Sequence, residues 1–324
     1  MADLSVKYLG LSLSNPIVAA SCGLTRQADQ AKQCEDAGAG AVVLKSLFEE
    51  EIQAYIDSES VGVEHTEAVD YIRELETEAG VHAYADNLRK AKEALQIPVI
   101  ASINAVSRDW WVHHVPTIVD AGADALELNI SLLPHDHRLK EEKVLDFYLD
   151  TVGLVKKNTK IPIAVKIWHH FTSIPALVDQ LHWAGADGVV LFNRFYQLDI
   201  DVETFRLKGG SPFSNPSDLS CSLRWISIIY GQTEIDLAAS GGVHAGEDVV
   251  KTLLAGAQVA QVCSALYRNG VEHLQTMRRD LETWMERHSF SRVDQFRGKL
   301  SRKRSDLPES FERLQYIKTL VGQE

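Results

Sequence analysis

The tripeptide Ala-Gly-Ala recurs four times in this 324-residue chain: DAGAGAVVLKS at 36–46, DAGADALELNIS at 120–131, WAGADGVVLFN at 183–193 and LAGAQVAQVCS at 254–264. An amphipathic helical pattern precedes each glycine, as at a helix C-cap, and a short apolar strand follows it. Lys45, Asn129, Phe192 and Cys263 each stand seven residues beyond the repeat's glycine, so they mark equivalent strand ends. A second unit alternates with the first, in which Pro opens an apolar run: NPIVAAS at 15–21, IPVIASIN at 97–104 and IPIAVKIW at 161–168.

With EIDLAASGG at 234–242, the two units predict strands near 15–21, 41–46, 97–103, 124–130, 162–168, 187–192, 235–240 and 258–263. Helical patterns such as 86–95 and 147–158 lie between them. Continuous apolar strands alternating with helices imply a parallel sheet covered on its outside, and eight such units fit a closed α/β (β/α)8 TIM barrel. A doubly wound open sheet is the alternative; its dinucleotide-binding form is disfavoured because no G-x-G-x-x-G follows the first strand. The expectation is one barrel domain with its core over about 12–278 and a helical C-terminal extension over about 279–324. Long insertions follow strand 2 (47–85) and strand 6 (194–233), on the face where barrels build their sites.

Charge and cysteine usage narrow the partners. With 33 Lys+Arg against 45 Asp+Glu the net charge is −12, which argues against a nucleic-acid partner. No apolar run reaches the ~18 residues of a membrane span, and MADLSVKYLG lacks the pattern of a secretory signal, so the expected compartment is the cytoplasm, without membrane contact. Cys22, Cys34, Cys221 and Cys263 are scattered, without metal-ligand spacing; reduced thiols are expected, with no disulfide and no metal. The basic run 299–304, KLSRKR, reads as a solvated helix end, with a subunit or phosphate contact as the alternative. A homodimer is the expected assembly, since acidic barrels with long loops often pair.

Strand ends carry the candidate chemistry. Strand 7 ends in Ser240-Gly241-Gly242 and strand 8 in Cys263-Ser264, each before a helix start, a combination suited to a phosphate. Lys45 and Lys166 sit in apolar strands, where a charge requires an anion or acceptor; either forms a Schiff base or stabilises negative charge on a reduced ring. Asn129 and Asn193 end strands 4 and 6, positioned to donate and accept toward a planar heterocycle or to cap a loop.

These residues, in this order, resemble the dihydroorotate dehydrogenase family of FMN-dependent barrels. The resemblance runs through NPIVAAS, AGAGAVVLKS, IPVIASIN, ADALELNIS, IPIAVKI and AASGGVHAGEDVVKTLLAGAQVAQVCSALY, and extends to WMERHSFSRVDQFRGKL. It implies a (β/α)8 barrel with FMN on its C-terminal face, contacted by Ala20, Ser21, Lys45, Ser46, Asn129, Lys166, Gly241, Gly242, Cys263 and Ser264, the last four at the phosphate. It also implies oxidation of dihydroorotate to orotate in pyrimidine biosynthesis, with hydride passing to the flavin, and the soluble branch of the family.

The substrate half departs from that pattern. Where the family carries a Cys or Ser base within Asn-x-Ser-Cys/Ser-Pro-Asn, this chain reads Asn129-Ile130-Ser131-Leu132-Leu133-Pro134-His135, and leucine cannot accept a proton. The family's Asn-x-x-Gly-Leu-x-Asn loop has no counterpart in 57–80, Arg194 follows Asn193 where Thr or Ser is usual, and Ile-Trp-His-His follows Lys166. His135 takes the place of the family's second substrate Asn and is the first candidate for a replacement base, ahead of His137, His169, His170 and His65. Trp110, Trp111 and Trp168 either stack on a planar ligand or pack against barrel helices. The catalytic set is therefore Lys45, Asn129, Asn193 and His135. Rival readings are a flavin enzyme with another substrate, a Schiff-base aldolase using Lys166, and a non-catalytic FMN- or metabolite-binding barrel.

Overall fold

A computed structural model of the chain describes residues 2–49, 66–105, 107–194, 197–311 and 321. Its centre is eight strands: β1 (Ile17–Ala19), β2 (Ala41–Val43), β3 (Val99–Asn104), β4 (Ala125–Asn129), β5 (Ile163–Ile167), β6 (Gly188–Leu191), β7 (Asp236–Ser240) and β8 (Val259–Val262). Each pairs in parallel with the next, and β8 pairs with β1, so the sheet closes into a (β/α)8 barrel. Apart from Asp236 every residue of these strands is buried, as continuous apolar runs require when helices cover the outside. Several strands are shorter than their sequence patterns. Ala20 and Leu44 still donate to the neighbouring strands, at Val262 O and Ile100 O, before the chain turns into loops at the barrel mouth, and Leu47–Phe48 pairs once more with Ile103–Asn104 of β3.

The covering helices are α1 (Ala28–Asp36), α2 (Thr66–Ala94), α3 (Arg108–Asp120), α4 (Glu141–Asn158), α5 (Ile174–Ala184), α6 (Leu219–Ile229), α7 (Gly246–Ala255), α8 (Ser264–Asn269) and α9 (His273–Arg287). The repeat explains how helix hands over to strand. Gly38, Gly122, Gly185 and Gly256 adopt φ of 91°, 95°, 111° and 127°, a region that closes a helix and that residues with a Cβ rarely enter. Two residues later the side chain staples the sheet. Asp124 Oδ2 accepts from Lys92 Nζ (2.6 Å) and Val99 N (2.7 Å), and Asp187 Oδ2 accepts from Lys156 Nζ (2.7 Å) and Ile163 N (2.9 Å). Gln258 repeats the second bond, its Oε1 accepting from Leu237 N at 2.7 Å.

The opposite end is closed by an N-terminal hairpin, Val6–Tyr8 with Leu11–Leu13, although the sequence pattern placed the start of the core near residue 12. Its turn, Leu9-Gly10, has positive φ at both positions, and Leu9 is buried with its N–H donated to Asp236 Oδ2 at 2.7 Å. The sequence Leu-Gly lacks the usual turn signal of Asn-Gly, so the hairpin is not legible there. The insertion after β6 carries a second hairpin, Leu198–Asp201 with Arg206–Gly209. Part of the insertion after β2, including His65, lies outside the described residues. At the C-terminus α9 runs across residue 278, and 3-10 turns follow at Val293–Gln295, Arg302–Arg304 and Pro308–Phe311. Arg302–Arg304 therefore occupies a single tight turn and not a helix end. The preceding tail is sewn to α7 by Gly298 N to Leu253 O (2.8 Å) and Leu300 N to Leu254 O (2.9 Å). Trp110 and Trp111, near the start of α3, are buried in the hydrophobic core, the packing alternative of the two.

Candidate active site

Because all eight strands are parallel, their C-terminal ends meet at one mouth, and the residues singled out at strand ends converge there. After β1 and β2, Ser21 Oγ lies 3.0 Å from Ser46 Oγ and accepts from Ser46 N at 2.9 Å. Ser46 Oγ lies 2.7 Å from Ser102 Oγ on β3, so three hydroxyls run across three strands. Tyr84 of α2 backs them, its hydroxyl accepting from Ser102 N (2.9 Å) and donating to Ser102 O (3.1 Å). Ala20 is held by its N–H to Val262 O at 2.9 Å. Lys45 is half-buried, with its Nζ 4.2 Å above the Phe48 ring and 3.5 Å from Ser46 O.

On the other side of the mouth, Asn129 and Lys166 are register partners across β4 and β5, and Asn193 Nδ2 donates to Asn129 Oδ1 at 2.6 Å. Asn129 and Asn193 are thus brought together as a pair. Lys166 is buried and already meets an anion: its Nζ lies 3.7 Å from Glu127 Oε1 and donates to Gln261 Oε1 at 3.2 Å. Gln261 Nε2 closes the triad by donating to Glu127 Oε2 at 2.5 Å. Lys166 Nζ is thus engaged by both Glu127 and Gln261 inside the barrel.

The β7–β8 corner combines a close approach with an open one. A Cβ on Gly242 (φ 76°) would stand 2.2 Å from Leu219 N of α6, so only glycine fits there. Gly241 (φ 86°) has nothing within 4 Å of the corresponding position, leaving its backbone accessible from the mouth. Ser240 O is fixed by Ser222 Oγ (3.0 Å) and Phe192 N (3.1 Å). Ser264 Oγ accepts from Ser214 N at 2.9 Å, and Ser214 Oγ lies 3.1 Å from His244 Nε2, which ties the insertion after β6 to this corner. Partial burial, then the Arg268 charge, lowers the His244 pKa, so the ring is neutral at pH 7. Cys263 and Cys22 are hydrogen-bonding neighbours: the bond from Cys263 draws the Cys22 thiol down to about 7, and the Cys263 thiol is pushed up in return.

The histidines separate. His135 is exposed, with its Nδ1 3.2 Å from Leu133 O of its own loop, and His137 is exposed as well. Neither is brought to the asparagine pair. His169 is closer, its ring centroid 5.9 Å from that of Phe192, the neighbour of Asn193. Its pKa is lowered, first by partial burial and then by the His170 charge.

Several site residues escaped the sequence reading. Asn104, buried at the end of β3, has no hydrogen-bond partner for its Oδ1 among the described residues. A buried amide oxygen left without a donor signals a ligand that supplies one. Its signal was available, since Asn ends IPVIASIN as it ends ALELN. Glu127, Gln261 and Ser102 were likewise visible as polar residues inside apolar strands.

A mouth with three amides, two lysines and an open glycine backbone suits a planar, hydrogen-bonding ring that carries an anionic arm. The sequence model of the family described as dihydroorotate dehydrogenase matches residues 3–285. The chain belongs to the dihydroorotate dehydrogenase family. Among relatives, the dihydroorotate dehydrogenase B (NAD(+)) catalytic subunit of Thermoplasma volcanium is 27% identical over 305 residues, covering 92% of this chain and 98% of its own. The dihydroorotate dehydrogenase A (fumarate) of Limosilactobacillus reuteri is 30% identical over 282 residues, 82% of this chain and 88% of its own. The chloroplastic dihydropyrimidine dehydrogenase (NADP(+)) of Arabidopsis thaliana is 24% identical over 328 residues, 91% of this chain and 76% of its own. In this chain Leu132 and Leu133 follow Asn129-Ile130-Ser131 on the loop from β4 to α4.

Proposed function

We propose that this chain is an FMN-dependent oxidoreductase that moves hydride between a small planar substrate and flavin, with dihydroorotate, the compound in its relatives' names, as the first substrate to test. The observation that carries the reading is the fit of the mouth to such a group, above all the donor-seeking Asn104 Oδ1 beside the Asn129–Asn193 pair. Ala20, Ser21, Ser46, Asn104, Asn129 and Lys166 would hold the ring, and Ser240, Gly241, Gly242, Cys263 and Ser264 the phosphate. When bound, FMN supplies a two-electron hydride acceptor and donor.

The chain's own residues do the rest. Lys45 and Lys166 offer positive charge to a ring that gains electrons, and the Glu127–Gln261 pair fixes where the Lys166 charge stands. Asn129 and Asn193 orient the reacting partners through amide hydrogen bonds. Leucines at the loop position after Ser131 move no proton, so a histidine takes that role. His135 is the candidate by sequence position and His169 the one favoured by its nearness to Phe192. A homodimer in the cytoplasm completes the proposal. Purified protein is expected to be yellow and to release FMN on heat denaturation, identified by chromatography. Colourless protein that takes up no flavin on incubation with FMN overturns the reading.

A further inference from the structure

The two leucines that displace a base also line a cavity of about 350 Å³, which lies between the loops that follow β4 and β5. Leu132, Leu133 and Leu139 line it from the first loop, Trp168, His170 and Phe171 from the second, and Tyr148 from α4. The Tyr148 wall is fixed. Tyr148 meets Phe171 edge to face at 5.1 Å and 90°, and its hydroxyl is committed to Ile130 O at 2.8 Å. Its walls belong to the loops that leave the paired strands of Asn129 and Lys166: Leu132 is three residues past Asn129, and Trp168 two past Lys166.

Its chemistry is one-sided. Among its described lining residues there is no lysine or arginine; the polar ones are Glu141, His170 and Thr172. An anionic group placed there would lose water and face the Glu141 carboxylate, with the His170 imidazole as the one group among them able to carry a positive charge. A volume of this size with aromatic and aliphatic walls is typical of a pocket that binds the apolar part of a small molecule. Leu133 is 53% exposed, an apolar side chain that a ligand in the cavity would cover.

We propose that this cavity is a substrate subsite for an uncharged apolar ring or alkyl group attached to the reactive part of the substrate, so that the enzyme favours an apolar unsaturated compound over a carboxylated pyrimidine. The inference rests on the flavin reading above for what the neighbouring mouth does. It does not need that reading for binding itself.

The test is calorimetric titration of the purified protein with three probes: benzylideneacetone, 3-penten-2-one, which is the same enone with methyl in place of phenyl, and orotate. Benzylideneacetone is expected to bind at least about tenfold tighter than 3-penten-2-one, the lower end of what added apolar groups gain in such pockets. That advantage is expected to disappear in Leu133→Asp, whose exposed position tolerates the change, and in Trp168→Ala, with bound FMN per chain unaltered in both. Orotate binding with no phenyl preference overturns the subsite, as does a preference that survives both substitutions. Flavin content, read by absorbance on the same samples, separates the two claims. Yellow protein without the preference sinks the subsite alone, whereas flavin-free protein with a Leu133-dependent preference sinks the flavin reading and keeps the subsite.

Discussion

Lys166 illustrates how much a single buried charge decides. Alone in IAVKIW it demands an anion, and Glu127 meets it inside the barrel at 3.7 Å. Removing one member of such a pair strands the other, at about 3–5 kcal/mol, while replacing both by apolar groups of similar volume is close to neutral. Glu127→Ala is therefore expected to lower the unfolding free energy by about 3–5 kcal/mol. Glu127→Leu combined with Lys166→Met should recover most of that in denaturant titrations while abolishing turnover. Equal losses in the single and double variants would show that the pair is not coupled. His169 sets a second expectation. Burial lowers its folded pKa below the ordinary imidazole value, so the ring is neutral at pH 7 and becomes a cation only as pH falls through a value under 6.5. If it takes the substrate proton, kcat/KM falls on the acid side with an apparent pKa below 6.5, and that limb vanishes in His169→Asn. A limb unaffected in His169→Asn and lost in His135→Ala would transfer the role. The same shift makes a stability contribution that is present above the unfolded-state pKa and lost as pH falls through the folded one.

At the scale of elements, the helix-to-strand handover recurs with the same parts. Asp124 and Asp187 each hold the first N–H of the preceding strand and a lysine of the helix that leads into that strand, and Gln258 holds the Leu237 N–H of β7 together with the Asp236 carboxylate. Asp187→Ala leaves Ile163 N without its acceptor and should cost about 1–3 kcal/mol, read as a lowered denaturant midpoint with unchanged slope. Asp187→Asn, which keeps the acceptor and loses the charge, should lose less; equal losses would place the effect in the ion pair. These elements were largely legible. The repeat's glycines announced the helix ends, and the prolines announced strand entrances. The N-terminal hairpin was not legible, because its Leu-Gly turn carries no distinctive signal and its fixing bond comes from Asp236, more than two hundred residues away. Asn104 was missed for another reason. What marks it is an unpartnered oxygen, a property of its surroundings that its residue type does not announce.

For the molecule as a whole, the hairpin after β6 gathers the largest group of exposed apolar side chains among the described residues. Leu198, Ile200, Val202, Phe205 and Leu207 are all more than half exposed there, Phe205 at 90%. Apolar side chains on an uncovered two-stranded hairpin are a ready interface. If the proposed homodimer forms through it, Phe205→Asp should convert a dimer to a monomer in light scattering without loss of bound flavin. A parent protein that is already monomeric, or a variant that stays dimeric, would move the interface elsewhere. What the sequence determined by itself is the periodic part: eight strand ends, their order, and the lysine, asparagine and glycine residues that occupy them, because helix caps and strand entrances are local events written in neighbouring residues. Only the tertiary structure decided which of those ends meet. It paired Asn129 with Asn193, gave Lys166 its carboxylate, turned His135 to solvent and enclosed an apolar cavity behind Leu132 and Leu133. Closing a barrel joins residues far apart in the chain, and no local pattern encodes the distance between them.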